Sequence, residues 1–375
     1  MGPREEIIAD FARGCGFPHA GCAPLEPLAR ASYLEGWLAD GRAGEMAWLA
    51  RRPEERVDPR RRFPWARGII CLLHPYRPPP APPEDWRTTL RGRIAAYAAG
   101  TDYHQRVAAR LAALADRLAG AFPGARFRGY VDTGPLLERE WAAVAGLGWI
   151  GRNTLLLHRT AGSYFLLAEL LTDLVLDPVP LPPDRCGTCT RCVRACPTAA
   201  LEAGYTMDPR RCLAYLTIEH RGAIPPALRP ALENWVFGCD VCQEVCPWNG
   251  EARDAAGTSE LTPHLPALLA LDANGFRARF GRSAVARTRR RGLLRNAAVA
   301  LGNSGNLDAV PPLTAALDDP EPLVRGHAAW ALGRLGGRRA RAALEAAARR
   351  EPDAEAGAEI AAALAGAEPS DDARR

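Results

Sequence analysis

Apolar positions recur with two short periods in the first 180 residues and with a much longer one near the C-terminus. Between Tyr103 and Leu118, Val107, Leu111, Leu114 and Leu118 fall at three- and four-residue intervals, the repeat of one helix face. Helical periodicity also runs over Tyr33–Arg51. Strand-like runs occupy Gly68–Leu73, Phe127–Val131 and Ser163–Leu167. The proline-rich segments Arg77–Pro83 and Pro178–Pro183 interrupt these patterns and read as loops. Helices and strands mixed in this way predict an α/β domain over residues 1–180.

The long period is a repeat. Arg295-Asn-Ala-Ala-Val-Ala-Leu-Gly302 returns as Gly326-His-Ala-Ala-Trp-Ala-Leu-Gly333, a shift of 31 residues. The segment Pro312–Leu317 returns as Ala343–Ala348 with the same shift. A constant shift over two Ala/Leu helices predicts a shortened HEAT-like solenoid over 281–368, because one helix pair cannot bury its own apolar face. Residues 251–280 then hold a linker, Glu251–Pro266, and the start of the helical region.

Residues 181–250 carry the strongest chemical signal. Eight of the eleven cysteines lie between Cys186 and Cys246. The first run is Cys186-x2-Cys189-x2-Cys192-x3-Cys196-Pro197; the second is Cys212, then Cys239-x2-Cys242-x3-Cys246-Pro247. Two-residue spacers let three thiolates reach corners of one [4Fe–4S] cube, and in two-cluster ferredoxins the cysteine before each proline serves the other cluster. On that rule Cys186, Cys189, Cys192 and Cys246 hold one cluster, and Cys196, Cys212, Cys239 and Cys242 the second. Zinc is the competing reading, but the first run is a poor zinc pattern. Cys15, Cys22 and Cys71 are scattered, and Cys71 reads as a buried small hydrophobe in its apolar strand.

Charge adds less than its distribution does. The net charge is +5, and the basic residues are all arginine. No apolar run approaches the roughly 18–20 residues that span a bilayer. The N-terminal residues lack the pattern of an export signal, and free cysteines in metal-ligand spacing fit a reducing, cytoplasmic setting.

Outside the cysteines, polar residues gather in apolar company. They include Arg56, Tyr97, Asp102-Tyr103-His104, Tyr130–Pro135 and Gly148–Thr154. Asp132 follows a strand and precedes a Gly-Pro turn. It could be a general acid of raised pKa at the rim of a sheet. It could equally cap a helix beginning at Pro135, and the bare sequence favours the cap. No Gly-x-Gly-x-x-Gly fingerprint follows a strand, so a nucleotide hydride donor is not indicated.

Six segments resemble the epoxyqueuosine reductase family. They are Tyr130–Glu140, Gly148–Leu157, Gly162–Asp173, the first cysteine run, Arg211–Gly222 and Phe237–Asn249. The resemblance implies an α+β protein. Its parts would be a nitroreductase-like cobalamin-binding domain, a bacterial two-[4Fe–4S] ferredoxin-like domain and the HEAT-like tail. It implies base-off cobalamin held between the first two domains, with electrons passing from an external donor, such as a ferredoxin or flavodoxin, through two clusters to cobalt. Epoxyqueuosine in tRNA would then become queuosine, with the epoxide oxygen lost as water. Asp132 matches the family's proton donor, which overturns the preference for a cap. Arg56, Tyr97, Asn153 and Ser163 match positions near the cobalamin or substrate pocket, and Asp240 and Val241 are expected near the corrin. Two departures stand out: Arg152 where lysine is common, and Ala214 where serine is common.

The partner implied is the tRNA anticodon stem-loop, bound by a monomer. Arg287, Arg289, Arg290, Arg291 and Arg295 form a block without acidic residues, and Arg221 lies near the cluster cysteines. Such a block predicts phosphate contacts. The alternatives are a corrinoid iron–sulfur reductive dehalogenase-like enzyme and an electron carrier joined to a protein-binding solenoid.

Overall fold

The computed structural model describes residues 2–76, 85–250 and 259–366. The proline-rich segment 77–83, the linker residues 251–258 and the end of the tail beyond 366 lie outside the described residues. The chain folds as two compact units, each assembled from separate segments. One comprises Met1–Pro78, Asp102–Arg210 and Asp240–Ala252; the other comprises Pro79–Thr101, Arg211–Cys239 and Arg253–Arg375.

The first unit is built on a four-stranded antiparallel sheet. Helix α1 (Pro3–Gly14) leads into β1 (His19–Pro24), and α2 (Ala31–Ala39) follows. Then come β2 (Gly68–Pro75), α3 (Tyr103–Ala121), β3 (Phe127–Tyr130), α4 (Glu138–Val144) and β4 (Phe165–Thr172). The strand order is β1-β2-β4-β3. In β2 every residue from Gly68 to His74 is buried, which explains its near-continuous apolar sequence. The predicted face of α3 is buried as read: Val107, Leu111, Leu114 and Leu118 are at most 3% exposed.

One expectation is corrected here, and the alternative reading of Asp132 as a cap is closed. The helix read over Tyr33–Arg51 ends at Ala39, because Gly41 and Gly44 take left-handed φ values of +67° and +55° and the chain turns. Asp132 is not a helix cap: α4 begins at Glu138 with Leu137 at its cap position. Residues Asp132–Leu137 form a connection between β3 and α4.

Side chains alternate across β4, so Leu167, Glu169 and Leu171 share one face. Leu167 and Leu171 pack with Ile69, Cys71, Leu73, Trp141 and Ala142 in one apolar cluster. Glu169 stands opposite Cys71 on one side and Tyr130 on the other. A fully buried carboxyl therefore sits on the core face of the sheet.

The second unit contains the repeat. Helices α5 (Arg289–Ser304) and α6 (Val310–Ala316) are followed by α7 (Pro322–Leu335), α8 (Gly337–Ala348) and α9 (Ala354–Gly366). Gly302 and Gly333, equivalent in the 31-residue repeat, explain the close stacking. A Cβ at Gly302 would lie 2.8 Å from the Ala331 Cα, and one at Gly333 would lie 2.9 Å from the Ala363 Cα. No helix among the described residues is long and apolar enough to cross a membrane.

Candidate active site

Asp132 has φ +54°, a left-handed backbone that costs an ordinary residue about 1–2 kcal/mol. Its neighbours hold it there. The Asp132 backbone N–H donates to Glu138 Oε1 at 2.8 Å. The Tyr103 hydroxyl donates to Asp132 Oδ2 at 2.5 Å, and His104 Nε2 lies 3.5 Å from the same oxygen. His104 Nδ1 is bonded in turn to Asp102 Oδ1 at 2.7 Å, while Asp102 accepts the His104 backbone N–H and so caps α3. The hydrogen bond to Asp132 raises the His104 pKa above its usual value; partial burial opposes this and Asp102 adds to it. The sequence cluster Asp102-Tyr103-His104 is thus brought onto the Asp132 carboxyl.

That carboxyl opens onto a pocket of about 300 Å³ whose walls include Tyr33, Trp48, Arg56, Glu138 and Tyr205. Arg56 lies at the pocket as expected. Its guanidinium is buried, donates to the Trp48 carbonyl at 3.0 Å and sits 5.4 Å from the Trp48 ring centroid. Burial lowers its pKa. Arg56 Nε, Asn153 Nδ2, Arg152 Nε and Trp149 Nε1 are buried donors without acceptors among the described residues. Unsatisfied buried donors are costly, so they seek a ligand rich in acceptors.

Two carboxyls were not singled out from the sequence: Glu138 in the pocket wall and Glu169 buried behind it. Glu138 has a pKa pushed up to about 7, first by burial and then by Asp132. Glu169 is raised well above the usual carboxylate range by burial and by Glu138. Neither Glu169 oxygen receives a bond from an N–H or O–H group of the described residues. The Glu138 carboxyl is the neighbour that acts on it most strongly, and two carboxyls can share a bond only when one is protonated.

A separate cavity of about 60 Å³ is lined by Cys186, Cys189, Cys192 and Cys246, together with Arg152, Arg185 and Arg191. The turn that starts the run is closed by the Cys189 N–H bonding to the Cys186 carbonyl at 3.0 Å. Cys192 lies on the short helix Arg191–Ala195, and Cys246 follows the helix Val241–Glu244. Burial raises the Cys192 and Cys246 thiols, and the neighbouring cysteines raise them further. Four crowded thiols need positive charge to ionise together; iron supplies it, and the three arginines suit an anionic cluster. Among the described residues no three His, Cys, Asp or Glu side chains converge as a single-ion site. The thiols ring a space, and these residues fit a [4Fe–4S] group.

Of the other four cysteines, Cys196 accepts the Ala200 N–H at 3.2 Å, and Cys212 occupies the cap position of the helix Leu213–Ile218. Cys242 lies on the helix Val241–Glu244, and Cys239 precedes it. Asp240 is buried at the start of that helix, and Val241 is its first residue. Asn153 is buried, and its Oδ1 accepts the Leu155 N–H at 3.3 Å. Tyr97 stacks obliquely near Phe237, with ring centroids 6.0 Å apart.

Ser163, expected near the cobalamin or substrate pocket, is buried. Its hydroxyl is taken up by Asn249 and by Gln243, whose Nε2 donates to it at 3.1 Å. The arginine block is also divided. Arg295 is fully buried and donates to the carbonyls of His220, Gly222 and Leu216, so it cannot offer phosphate a contact. Arg290 is bonded to the Leu271 carbonyl and paired with Asp319. Arg287 is paired with Glu219, and Arg221 donates to the Arg287 carbonyl. Arg289 is exposed and Arg291 partly so.

Comparison with known proteins gives the arrangement a lineage. Residues 56–133 match the family described as "Epoxyqueuosine reductase QueG, DUF1730". The Xanthomonas campestris epoxyqueuosine reductase is 40% identical over 340 residues, which is 88% of this chain and 95% of that protein. The chain belongs to the epoxyqueuosine reductase family. The Escherichia coli member is 37% identical over 87% of this chain and 88% of its own. Residues 185–249 match a 4Fe-4S double cluster binding domain and residues 283–365 match HEAT repeats, as the cysteine spacing and the repeat predicted. A solved structure of an epoxyqueuosine reductase with a tRNA-Tyr epoxyqueuosine-modified tRNA stem loop superposes with a TM-score of 0.89 at 31% identity, covering 96% of this chain and 98% of that one. A selenomethionine-labelled family member gives 0.89 at 30% identity, covering 97% and 99%. The chain is therefore an oxidoreductase built on that family's fold.

Proposed function

We propose that this chain reduces epoxyqueuosine in tRNA to queuosine, with Asp132 protonating the oxygen that leaves. The observation that carries the reading is the Asp132 carboxyl, held by Tyr103 and His104 at the wall of a pocket. Tyr205 lines that pocket and Arg152 lines the cysteine cavity, and the Arg152 guanidinium lies 4.9 Å from the Tyr205 ring centroid. One pair of stacked side chains thus joins the walls of the proton site and of the redox site.

Arg56, Asn153 and Trp149 would hold cobalamin, whose rim of amide carbonyls suits their unpartnered donors. Cobalamin would supply a reducible cobalt for delivering electrons to the epoxide carbon, and the clusters would supply single electrons. Cys196, Cys212, Cys239 and Cys242 are proposed as the ligands of the second cluster. Tyr97, Asp240 and Val241 remain proposed corrin neighbours.

The protein's own residues handle the proton. Tyr103 and His104 fix the Asp132 carboxyl from one side and leave it 56% exposed toward a ligand. As Asp132 gives up its proton, the Tyr103 O–H and a charged His104 stabilise the carboxylate that forms. Arg287, Arg289, Arg291 and Arg221 are the proposed contacts to tRNA phosphates. A monomeric protein acting in the cytoplasm, fed by a small ferredoxin or flavodoxin, fits this reading.

The test is anaerobic incubation with cobalamin, a strong reductant and epoxyqueuosine-containing tRNA, followed by nucleoside mass analysis. Loss of one oxygen from the modified base supports the proposal. Unchanged epoxyqueuosine with fully loaded protein refutes it.

A further inference from the structure

Removing an epoxide oxygen as water consumes two electrons and two protons: both C–O bonds break, a C=C bond forms, and the oxygen gains two O–H bonds. The electrons come singly from the iron–sulfur donor. Asp132 can carry only one of the protons. Glu138 lines the same pocket as Asp132, and Glu169 stands behind it on the core face of β4.

We propose that Glu138 and Glu169 form a proton-sharing carboxyl pair that supplies the second proton, which Glu138 delivers into the pocket and Glu169 restores. This rests on the epoxide-reduction reading. The geometry limits where the proton can go. Glu169 is 0% exposed, opposite Cys71 and Tyr130 in the sheet, so it exchanges a proton with the pocket through the carboxyl beside it, Glu138. Glu138 reaches the pocket while its Oε1 holds the Asp132 backbone N–H, which ties delivery to the position of the first donor. The charged groups facing the pair are Asp132, Arg139 and Arg56; Cys71 and Tyr130 complete its titratable surroundings. Glu169 cannot carry charge in that apolar setting without a large penalty, so the neutral acid is its resting form. Glu138 is the catalytic member and Glu169 the positioning and refilling member.

The experiment uses cobalamin- and iron-loaded protein carrying Glu138→Gln or Glu169→Gln, assayed for kcat and KM across pH on epoxyqueuosine-containing tRNA. Glu138→Gln keeps an oxygen for the Asp132 N–H, so the expected result is a fall in kcat of about tenfold or more with KM unchanged. In the wild type, kcat should decline as pH rises through about 7, where Glu138 loses its proton. In Glu169→Gln the amide donates to Glu138 but cannot release a proton to it, so this limb should move to lower pH. Wild-type kcat and pH profile in both variants would overturn the proposal. The second readout needs no turnover: the infrared carbonyl absorption of protonated carboxylic acids should persist at neutral pH in the wild type and lose the contribution of one buried acid in Glu169→Gln. Absence of that contribution from the wild type also overturns the pair. Wild-type protein that shows it but reduces no epoxyqueuosine would instead sink the parent reading.

Discussion

Ser163 and Asn249 hold each other by three hydrogen bonds. The Ser163 backbone N–H and hydroxyl donate to Asn249 Oδ1 at 2.6 and 3.2 Å, and Asn249 Nδ2 donates to Ser163 Oγ at 3.0 Å. Asn249 Nδ2 also reaches the Gln243 carbonyl at 2.7 Å. The bridge pins the segment that carries Cys246 to the residues leading into β4.

Asn249→Ala should therefore loosen Cys246 without touching a thiol. Leaving buried groups of Ser163 and Gln243 unpaired costs about 1–3 kcal/mol each. Iron and sulfide per chain, and absorbance of the reconstituted protein, should drop well below wild type. Full iron content would show that the bridge does not position Cys246.

Asp132→Asn keeps the size and the hydrogen-bonding oxygen but removes the acid. On the proposed reading, turnover of epoxyqueuosine-containing tRNA should fall by about a hundredfold or more. Corrin absorbance, iron content and tRNA affinity should stay at wild-type levels. Tyr103→Phe removes one of the bonds to Asp132 and should give a smaller loss of the same kind.

Arginines of one block should separate into two behaviours. Arg295→Ala strips donors from three carbonyls, that of Leu216 buried and those of His220 and Gly222 partly so, and should lower the melting temperature markedly, since an orphaned buried group costs roughly 1–3 kcal/mol. Arg289→Ala with Arg291→Ala should leave the melting temperature nearly unchanged. That double variant should bind tRNA more weakly and with a shallower salt dependence. Filter binding at several salt concentrations, beside thermal melts, tests both halves.

His158 gives the fold an acid limit. Its ring packs on His19 with centroids 4.1 Å apart, and burial, then His19, lowers its pKa to about 4. Its Nδ1 accepts the Ala161 N–H at 3.0 Å, a bond available only to the neutral ring. The unfolded chain takes up this proton near 6.5 while the fold resists until about 4. Stability from this site is complete above 6.5 and lost as pH falls toward 4. His158→Asn, which keeps an acceptor, should flatten the decline of melting temperature across that window.

Much of the architecture was legible because it rests on local periodicity or fixed spacing. The stripe Val107–Leu118, the 31-residue repeat and the crossing of Cys246 into the first cysteine run each leave a regular mark in the chain. The helix over Tyr33–Arg51 failed because its apolar residues continue past glycines that turn the backbone. Arg295 was misplaced because a charge in a run of arginines looks like surface, whereas its repeat mate, Gly326, carries no charge to bury. Glu138 and Glu169 had a signal: both lie in segments that carry the family resemblance, and Glu169 is the one acid in an otherwise apolar strand. What no pattern could supply was their meeting, since 31 residues separate them.

The cavity of the first cysteine run is completed by Cys246, from the end of the second. On a ribosome, Cys186, Cys189 and Cys192 emerge first and must wait with one wall missing. Maturation of that centre has to follow synthesis of the whole segment through Cys246, so the nascent chain carries three unligated thiols for that interval. Iron delivery to this protein is in that sense a problem of timing, set by the order in which its residues are made.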